Sequence, residues 1–280
     1  MSAAVNNRPN LWYAHSPLNE IWAFHRYIRE SLLSAWKVSP YEVWVRLNRR
    51  LTRRYAEYVG GWVCNSENTR GRIMRYYGRD AEVIYPPVDT AAYGDSGPGG
   101  FWLSVNRLAA HKRIEFQLEA FRKMPELKLV IVGSYEKGVE QFENYKKFIE
   151  KIMPENAELL HWAGDAELKD LYSRCRGFIT TAKDEDFGMT AVEAMASGKP
   201  VVAPAEGGYK ETVSPETGRL IEGVTPDKIM LAVREVEAVL AADPFHYSWN
   251  SMRRAAAYDT GKFIGKIRAA MDRTLRVAKK

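Results

Sequence analysis

Short apolar runs and helical patterns alternate regularly along the second part of this 280-residue chain. Runs typical of buried strands recur near 101–105, 128–132, 158–161, 177–180 and 200–203. Between them, apolar residues return every three or four positions, as on one face of a helix. This alternation predicts an α/β domain over 101–248, in which helices flank a parallel sheet. Further helices are expected at about 226–240 and 248–276.

The first part of the chain has the same kinds of pattern but fewer strands. Short strands are predicted at 11–15, 61–65 and 81–85. Helices are predicted at about 18–36, from Pro40 to about residue 58, and at 69–77, where Ser66 is a suitable cap. Three strands would leave an apolar sheet edge open. Either the helices fold over that edge, or a partner chain or second copy covers it.

Glycine, proline and serine concentrate at 94–100 and predict a linker between two domains. We therefore expect an N-terminal domain at 1–93 and a second domain at 101–248. A C-terminal helix at 249–280 would follow, and it is a candidate to cross back to the first domain.

Composition indicates an ordinary soluble protein, with 46% hydrophobic and 27% charged residues. The sequence contains no apolar run near the roughly 20 residues of a membrane span. No secretory signal is visible in the first ten residues. Cys64 and Cys175 are too few for a disulfide framework and lack metal-ligand spacing. A cytoplasmic location is expected, with the inner face of the membrane as the alternative.

The net charge of +6 is concentrated in residues 26–54, where arginine and lysine are interleaved with tryptophan and tyrosine. One interpretation is a pair of helices with a solvated basic face and aromatic residues in the core. A second is a contact with anionic lipid headgroups. Nucleic acid is disfavoured as a partner because no recognised binding motif accompanies the charge.

Two glutamates, Glu185 and Glu193, stand eight positions apart across a loop that enters a helix. At about 100° per residue, that spacing returns close to the same helical face. Backbone N–H groups of Phe187, Gly188 and Met189 would point outward at the helix start, where an anion is favoured. Thr190 in the first turn could add a phosphate contact. The arrangement predicts a cradle for a nucleotide sugar.

The segment 185–193 resembles the E-x7-E donor site of the retaining GT-B glycosyltransferases, the group 1 enzymes of glycosyltransferase family 4. The segments 77–89, 104–113 and 129–134 resemble further parts of that family in the same order. The resemblance covers most of residues 60–225. It implies two Rossmann-like domains, of which the N-terminal one is incomplete here, because 13–17 resembles a segment well inside the family's first domain.

The resemblance also implies roles for charged residues. Arg107 and Lys112 would hold the diphosphate and stabilise charge on the leaving group without a metal. Glu193 would accept hydrogen bonds from the ribose, and Glu185 would contact hydroxyls of the donor sugar. His15 would face the donor sugar, although a histidine beside aromatics can equally be a satisfied core residue.

Two further loops belong to the expected site. Gly133 would let the backbone approach the phosphates, but 134–137 reads Ser-Tyr-Glu-Lys where many relatives have a second glycine, which weakens this contact. The loop Trp162, Ala163 and Gly164 resembles the one that holds the nucleobase. Residues 184–186 also mimic the D-x-D metal motif of a different glycosyltransferase fold. Phe187-Gly188 and Glu193 fit the metal-free site better, so no metal is expected.

The resemblance therefore implies a hexosyltransferase that retains anomeric configuration and needs no cofactor besides its nucleotide-sugar substrate. Mannosyltransferases of polysaccharide and glycolipid assembly are the most similar group, which favours GDP-mannose over a UDP-hexose as donor. The acceptor would be a glycan or a lipid-linked molecule. One alternative is a nucleotide-sugar-binding subunit that is inactive without a partner chain. An epimerase or phosphorylase on the same scaffold is another.

Overall fold

The computed structural model describes residues 8–18, 20–134 and 138–278. Most of the segment examined for a secretory signal, and Tyr135–Lys137 of the weakened phosphate loop, lie outside the described residues. The chain divides into two compact units, Met1–Tyr85 with Phe263–Lys280 and Pro86–Lys262. Within the described residues, no helix is long and apolar enough to cross a membrane.

The first unit contains a parallel three-stranded sheet in the order β1-β2-β3. Its elements up to residue 85 are β1 (Leu11–Ala14), α1 (His25–Tyr27), α2 (Ala35–Ala56), β2 (Gly61–Cys64), α3 (Glu67–Tyr77) and β3 (Glu82–Val83). One core cluster contains Ala14, Cys64, Ile73 and Ala81. β1 and β3 are the edge strands of this sheet, so the expectation that a partner covers an edge stays a prediction.

Within the predicted helix at 18–36, the described residues are helical over 25–32, as α1 and a π-helical turn at Ile28–Leu32. Residues 20–24 form turns instead, and α2 begins at Ala35, before Pro40 rather than at it. Side chains of α2 satisfy two carbonyls in these turns: Tyr41 donates to the carbonyl of Glu20 (2.6 Å) and Arg49 to that of Ile21 (2.8 Å). Pro40 is tolerated in the second turn, where it forfeits one backbone hydrogen bond.

The second unit contains the predicted parallel sheet, which has six strands in the order β6-β5-β4-β7-β8-β9. Its strands are β4 (Phe101–Arg107), β5 (Lys128–Ser134), β6 (Ala157–Leu160), β7 (Gly177–Ile179), β8 (Val201–Pro204) and β9 (Gly218–Ile221). Its helices are α4 (Ile114–Arg122), α5 (Glu140–Lys151), α6 (Asp165–Arg174), α7 (Met189–Ala196), α8 (Tyr209–Thr212), α9 (Pro226–Ala242) and α10 (Ser248–Ala255). The alternation of strands and helices is thus confirmed.

Strand β9 was not predicted, because its first residue is a glycine of the kind that usually marks a turn. Gly218 pairs with Val201, and a Cβ at Gly218 would lie 1.9 Å from the Val201 carbonyl oxygen. The glycine therefore permits the close approach of β8 and β9 rather than ending a segment.

The predicted linker has side-chain contacts within the second unit. Asp95 accepts hydrogen bonds from Lys199 Nζ (2.7 Å), Ser248 Oγ (2.7 Å) and the Gly97 amide (2.9 Å). The Lys199 side chain is only 3% exposed. These contacts fix 94–100 on the second unit, and the division between units falls at Tyr85, ahead of the predicted domain end at residue 93.

The predicted single helix at 249–280 is two helices. α10 ends at Ala255, a 3-10 turn covers Ala256–Tyr258, and α11 (Thr260–Ala278) begins after Asp259. The Asp259 carboxylate accepts hydrogen bonds from Thr90 (2.8 Å) and the Gly261 amide (2.8 Å). These contacts stabilise the break between the two helices. From Phe263 onward α11 belongs to the first unit, where Ala270 packs with Val63 and Ile84.

Candidate functional site

The strand order of the second unit reverses between β4 and β7. From β4 the sheet continues through β5 to β6 on one side, and from β7 it continues through β8 to β9 on the other. In open parallel sheets, the crevice at the carboxyl ends of the two central strands is the usual ligand site. Arg107 is the last residue of β4, and the loop containing Glu185 follows β7. Arg107 and the loop containing Glu185 therefore both lie at this switch point.

Two cationic side chains lie at the end of β4 and in the turn that follows it. Arg107 is exposed, and Lys112 closes a 3-10 turn at Ala110–Lys112. Burial, followed by the charge of Lys112, lowers the pKa of His111 from 6.5 to about 4, and Arg107 adds to this effect. His111 is accordingly neutral at pH 7, and the positive charge belongs to Arg107 and Lys112.

Lys112 and Glu185 contact each other directly. Lys112 Nζ donates to Glu185 Oε2 at 2.6 Å, and the two side chains are 17% and 26% exposed. Two residues predicted from separate motifs, 73 positions apart, thus lie in one site. A diphosphate that binds Lys112 would have to share this cation with Glu185.

A second ion pair, which the sequence reasoning missed, supports the same loop. Arg113 donates to both carboxylate oxygens of Glu206 (3.2 and 3.1 Å) and to the Thr181 carbonyl (2.6 Å). Glu206 in turn accepts a hydrogen bond from the Asp184 amide at 3.2 Å. The available sequence signal was the position of Glu206, directly before the glycine pair at 207–208.

Gly207 and Gly208 pack against the backbone of the loop that contains Glu185. The Gly208 amide donates to the Glu185 carbonyl at 2.8 Å, and a Cβ at Gly207 would lie 2.1 Å from that same oxygen. Gly188 precedes α7 with φ of 89°, and a Cβ there would meet the Tyr209 ring at 2.4 Å. Only glycine fits these close approaches, so the fold of the loop is strongly specified.

At the start of α7, the side chains and the backbone amides have to be considered separately. Phe187 is 2% exposed and packs edge-on against Tyr258, with ring centroids 5.3 Å apart, so its side chain belongs to the core. Met189, the first residue of α7, is 42% exposed, and Thr190 is half-buried. Anion binding by Phe187, Gly188 and Met189 through their amides stays a prediction.

Glu193 lies two turns inside the motif and is half-buried. The fully buried Tyr172 donates a hydrogen bond to Glu193 Oε2 at 2.9 Å. Burial raises the pKa of Glu193, although hydrogen bonds from Tyr172 and Tyr93 partly oppose that rise. Sequence reasoning missed both tyrosines, because a tyrosine gives no sign of its partner until the fold is known.

Glu193 faces a cavity of about 280 Å³ within the second unit. Tyr93, Asp165, Lys169 and Met189 line it as well. Polar groups of both signs and an aromatic ring suit a ribose with part of a nucleobase. Met189 and Glu193 are the predicted donor residues that line this cavity.

The predicted nucleobase loop adjoins this cavity through Asp165. Trp162 is 76% exposed, Ala163 and Gly164 are half-buried, and Gly164 caps α6. Gly133 is buried, and a Cβ there would meet Leu108 and Leu159 side chains at 2.7 and 2.9 Å. Packing thus accounts for the glycine, and its phosphate contact stays a prediction.

His15 lies in the first unit, directly after β1. It is exposed, and its ring lies edge-on to Tyr13 with centroids 4.9 Å apart. The alternative that His15 is a buried core histidine is therefore wrong. Its contact with a donor sugar stays a prediction.

Residues 93–240 match the family model described as glycosyl transferases group 1. The chain is 26% identical over 303 residues to the alpha-1,3/1,6-mannosyltransferase ALG2 of Candida glabrata, covering 89% of this chain and 64% of ALG2. It is 34% identical over 119 residues to a GDP-mannose-dependent alpha-mannosyltransferase of Mycolicibacterium smegmatis, covering 42% of this chain and 29% of that relative. The chain therefore spans less than two thirds of the length of either relative.

Among solved structures, the chain resembles Anabaena Alr3699/HepE, which was crystallised in complex with UDP and glucose. The TM-score is 0.74 at 19% identity, and the match covers 95% of this chain and 72% of HepE. This likeness shows a shared GT-B fold.

Proposed function

Because this chain belongs to the group 1 glycosyl transferases, we propose that it transfers a hexose from a nucleoside diphosphate sugar to a glycan or lipid-linked acceptor. Mannose is the favoured sugar and GDP-mannose the leading donor. The names of the two mannosyltransferase relatives support that choice. The family match covers the unit that contains the candidate site.

One observation carries the proposal: Lys112, in the turn after β4, contacts Glu185, in the loop after β7, at 2.6 Å. The contact lies where the strand order of the sheet reverses. A nucleotide sugar has an anionic diphosphate between two polyhydroxylated rings. In the proposed arrangement, Arg107 and Lys112 bind the diphosphate, Glu185 binds the sugar ring and Glu193 binds the ribose.

We assign the diphosphate to Arg107, Lys112 and the start of α7. Departure of the nucleoside diphosphate leaves negative charge on a phosphate oxygen, and fixed cations stabilise that charge in the transition state. Glu193 would bind the ribose in the 280 Å³ cavity. Glu185 would bind sugar hydroxyls beside the diphosphate that its partner Lys112 holds.

We further propose transfer with retention on one face of the sugar. The bond from the anomeric carbon to the phosphate oxygen breaks, and the acceptor oxygen bonds to that carbon from the same side. The leaving phosphate accepts the acceptor's proton. Glu185 is assigned to binding rather than covalent attack, because its carboxylate is held in the ion pair with Lys112.

Donor turnover tests this function. The purified chain is incubated with GDP-mannose, UDP-glucose or UDP-galactose and a glycolipid extract, and the product is identified by mass spectrometry and its anomeric configuration by NMR. We expect an α-linked mannolipid from GDP-mannose, and none from Arg107→Ala/Lys112→Ala. The control Lys123→Ala/Arg234→Ala removes two exposed cations near helices α4 and α9.

Inverted configuration would contradict the proposed mechanism, and use of a UDP-sugar alone would contradict the proposed donor. Nucleotide binding without turnover in the isolated chain would support the alternative of a binding subunit that needs a partner.

A further inference from the structure

The 22-residue helix α2 presents a stripe of apolar side chains to solvent. Trp36, Val43, Trp44 and Leu47 are 74%, 64%, 47% and 56% exposed. At about 100° per residue they fall within an arc of about 100° on the helix surface. The buried residues of α2, Val45, Thr52 and Ala56, lie on the opposite side. The interpretation that aromatics of this region lie in the core is therefore wrong for both tryptophans.

Exposed cations accompany the stripe. Arg54 lies within it by the same geometry, Arg46 and Arg50 border it on one side, and Lys37 borders it on the other. Glu42 is the one acidic residue in the sequence of α2. It lies off this face and pairs with His25 (3.0 Å) and Arg29 (3.6 Å). The outer face of α2 is thus apolar and positively charged.

A cavity of about 490 Å³ extends this charge beyond the end of the helix. Arg53, Arg75 and Arg79 line it, and Glu57 is the acidic residue among the described lining. Arg53 donates to the Tyr76 carbonyl at 3.0 Å, which ties the cavity to α3. Positive charge therefore runs from α2 into a concave surface of the same unit.

We propose that the outer face of α2 docks on an anionic lipid bilayer. A helix with tryptophan and aliphatic residues on one face and cations beside them binds in the plane of a membrane interface. The arginines keep their hydration among headgroups while the stripe enters the acyl boundary. A protein groove would instead desolvate Arg54, which lies within the stripe, and the arginines that border it.

This surface stands independently of the donor site. Only its link to a lipid-linked acceptor rests on the proposed function, because docking there would keep the enzyme at the membrane that holds such an acceptor.

Vesicle co-sedimentation of the full chain tests the proposal. The probes are vesicles of phosphatidylcholine alone and of phosphatidylcholine mixed equally with phosphatidylglycerol. We expect binding to the anionic vesicles, weakened by salt, and little binding to the neutral ones. Arg46→Gln/Arg50→Gln/Arg54→Gln should weaken binding about a hundredfold, since each charge near the surface contributes about a factor of five.

The apolar stripe is tested by Trp36→Ala/Trp44→Ala/Leu47→Ala, which should abolish the binding that remains in high salt. Its matched control is Trp249→Ala/Phe245→Ala/Leu231→Ala, which removes side chains that are 70%, 60% and 55% exposed on the other unit. The control should bind vesicles as the unaltered chain does. All variants should keep the melting temperature of the unaltered chain, because the replaced side chains are exposed.

Equal binding to neutral and anionic vesicles, or binding that neither α2 variant weakens, would overturn the proposal. So would a dimer that the stripe variant alone dissociates, because a second copy would then be the occupant. Nucleotide binding by each variant is measured in parallel, so that failure of the donor site is distinguished from failure of the membrane surface.

Discussion

At the scale of single residues, the two glutamates of the motif have different surroundings. Glu185 forms an ion pair with Lys112, whereas Glu193 accepts a hydrogen bond from the buried Tyr172. The spacing placed both residues on one side of a helix start. It gave no information about these partners, because Lys112 comes from another motif and Tyr172 from a different helix.

We predict that Glu185→Gln separates binding of the nucleotide from binding of the sugar. Lys112 would no longer be shared with a carboxylate, so affinity for GDP should stay the same or rise several-fold. GDP-mannose should lose its contact to Glu185, and turnover should fall by at least tenfold. Calorimetry with both ligands and a turnover assay measure this. The control is Glu158→Gln, which breaks the remote pair with Lys128.

A parallel loss of GDP and GDP-mannose affinity in Glu185→Gln would contradict the assignment of Glu185 to the sugar.

We predict that ionisation of Glu193 destabilises the folded protein, so that its effect depends on pH. Burial raises its pKa above the ordinary 4.5, so the folded protein binds this proton more tightly than the unfolded chain does. Stability therefore falls as pH rises through the interval between the two pKa values. Glu193→Gln should raise the melting temperature at pH 7 and lose that advantage below pH 4.5, while GDP affinity falls at least about tenfold. A gain that is constant across this pH range would disprove the explanation.

At the scale of elements, the start of α7 depends on a glycine. Gly188→Ala would place a Cβ 2.4 Å from the Tyr209 ring at φ of 89°. We predict a loss of about 2–5 kcal/mol in the free energy of unfolding, measured with urea, together with loss of GDP binding. The control Gly71→Ala in α3 meets no atom within 4 Å and should be neutral or stabilising by up to about 1 kcal/mol. Equal changes in unfolding free energy for Gly188→Ala and Gly71→Ala would contradict this account of the loop.

The segment 94–100 should behave as part of the second unit. Burial disfavours ionisation of Asp95, but hydrogen bonds from Lys199, Ser248 and Gly97 outweigh it and lower the pKa of Asp95. Asp95→Asn would leave Lys199 buried without a full counter-charge and should cost about 3–5 kcal/mol of unfolding free energy. Asp95→Leu/Lys199→Met should cost less than Asp95→Asn. If Asp95→Asn unfolds like the unaltered chain, the segment is a free linker after all.

Sequence patterns predicted the helices and strands that bury regular apolar runs. They did not predict local structure that depends on contacts with residues distant in the sequence. Strands β4 to β8 follow such runs. Residues 20–24 form turns rather than a helix, and side chains of α2 donate to the carbonyls of Glu20 and Ile21. In the candidate site, Lys112 and Glu185 could be singled out because each belongs to a local sequence motif, and the fold brings them into contact. Arg113 and Glu206 were missed, because their 93-residue separation closes only in the fold.

At the scale of the whole molecule, each unit supplies a different part of the account. The second unit has a complete parallel sheet with the candidate donor site at its switch point. The first unit has a three-stranded sheet, the basic helix α2 and the returning helix α11. Membrane contact is the function that we propose for the first unit, and donor binding is the one that we propose for the second.

The central claim is that Arg107 and Lys112 form the diphosphate site at that switch point, and calorimetric titration of the full chain with GDP and UDP tests it most directly. We predict binding of GDP that weakens at least about a hundredfold in Arg107→Ala/Lys112→Ala, since two charged contacts are lost. Lys123→Ala/Arg234→Ala should bind GDP as the unaltered chain does. GDP affinity that is the same in both double variants would contradict the claim.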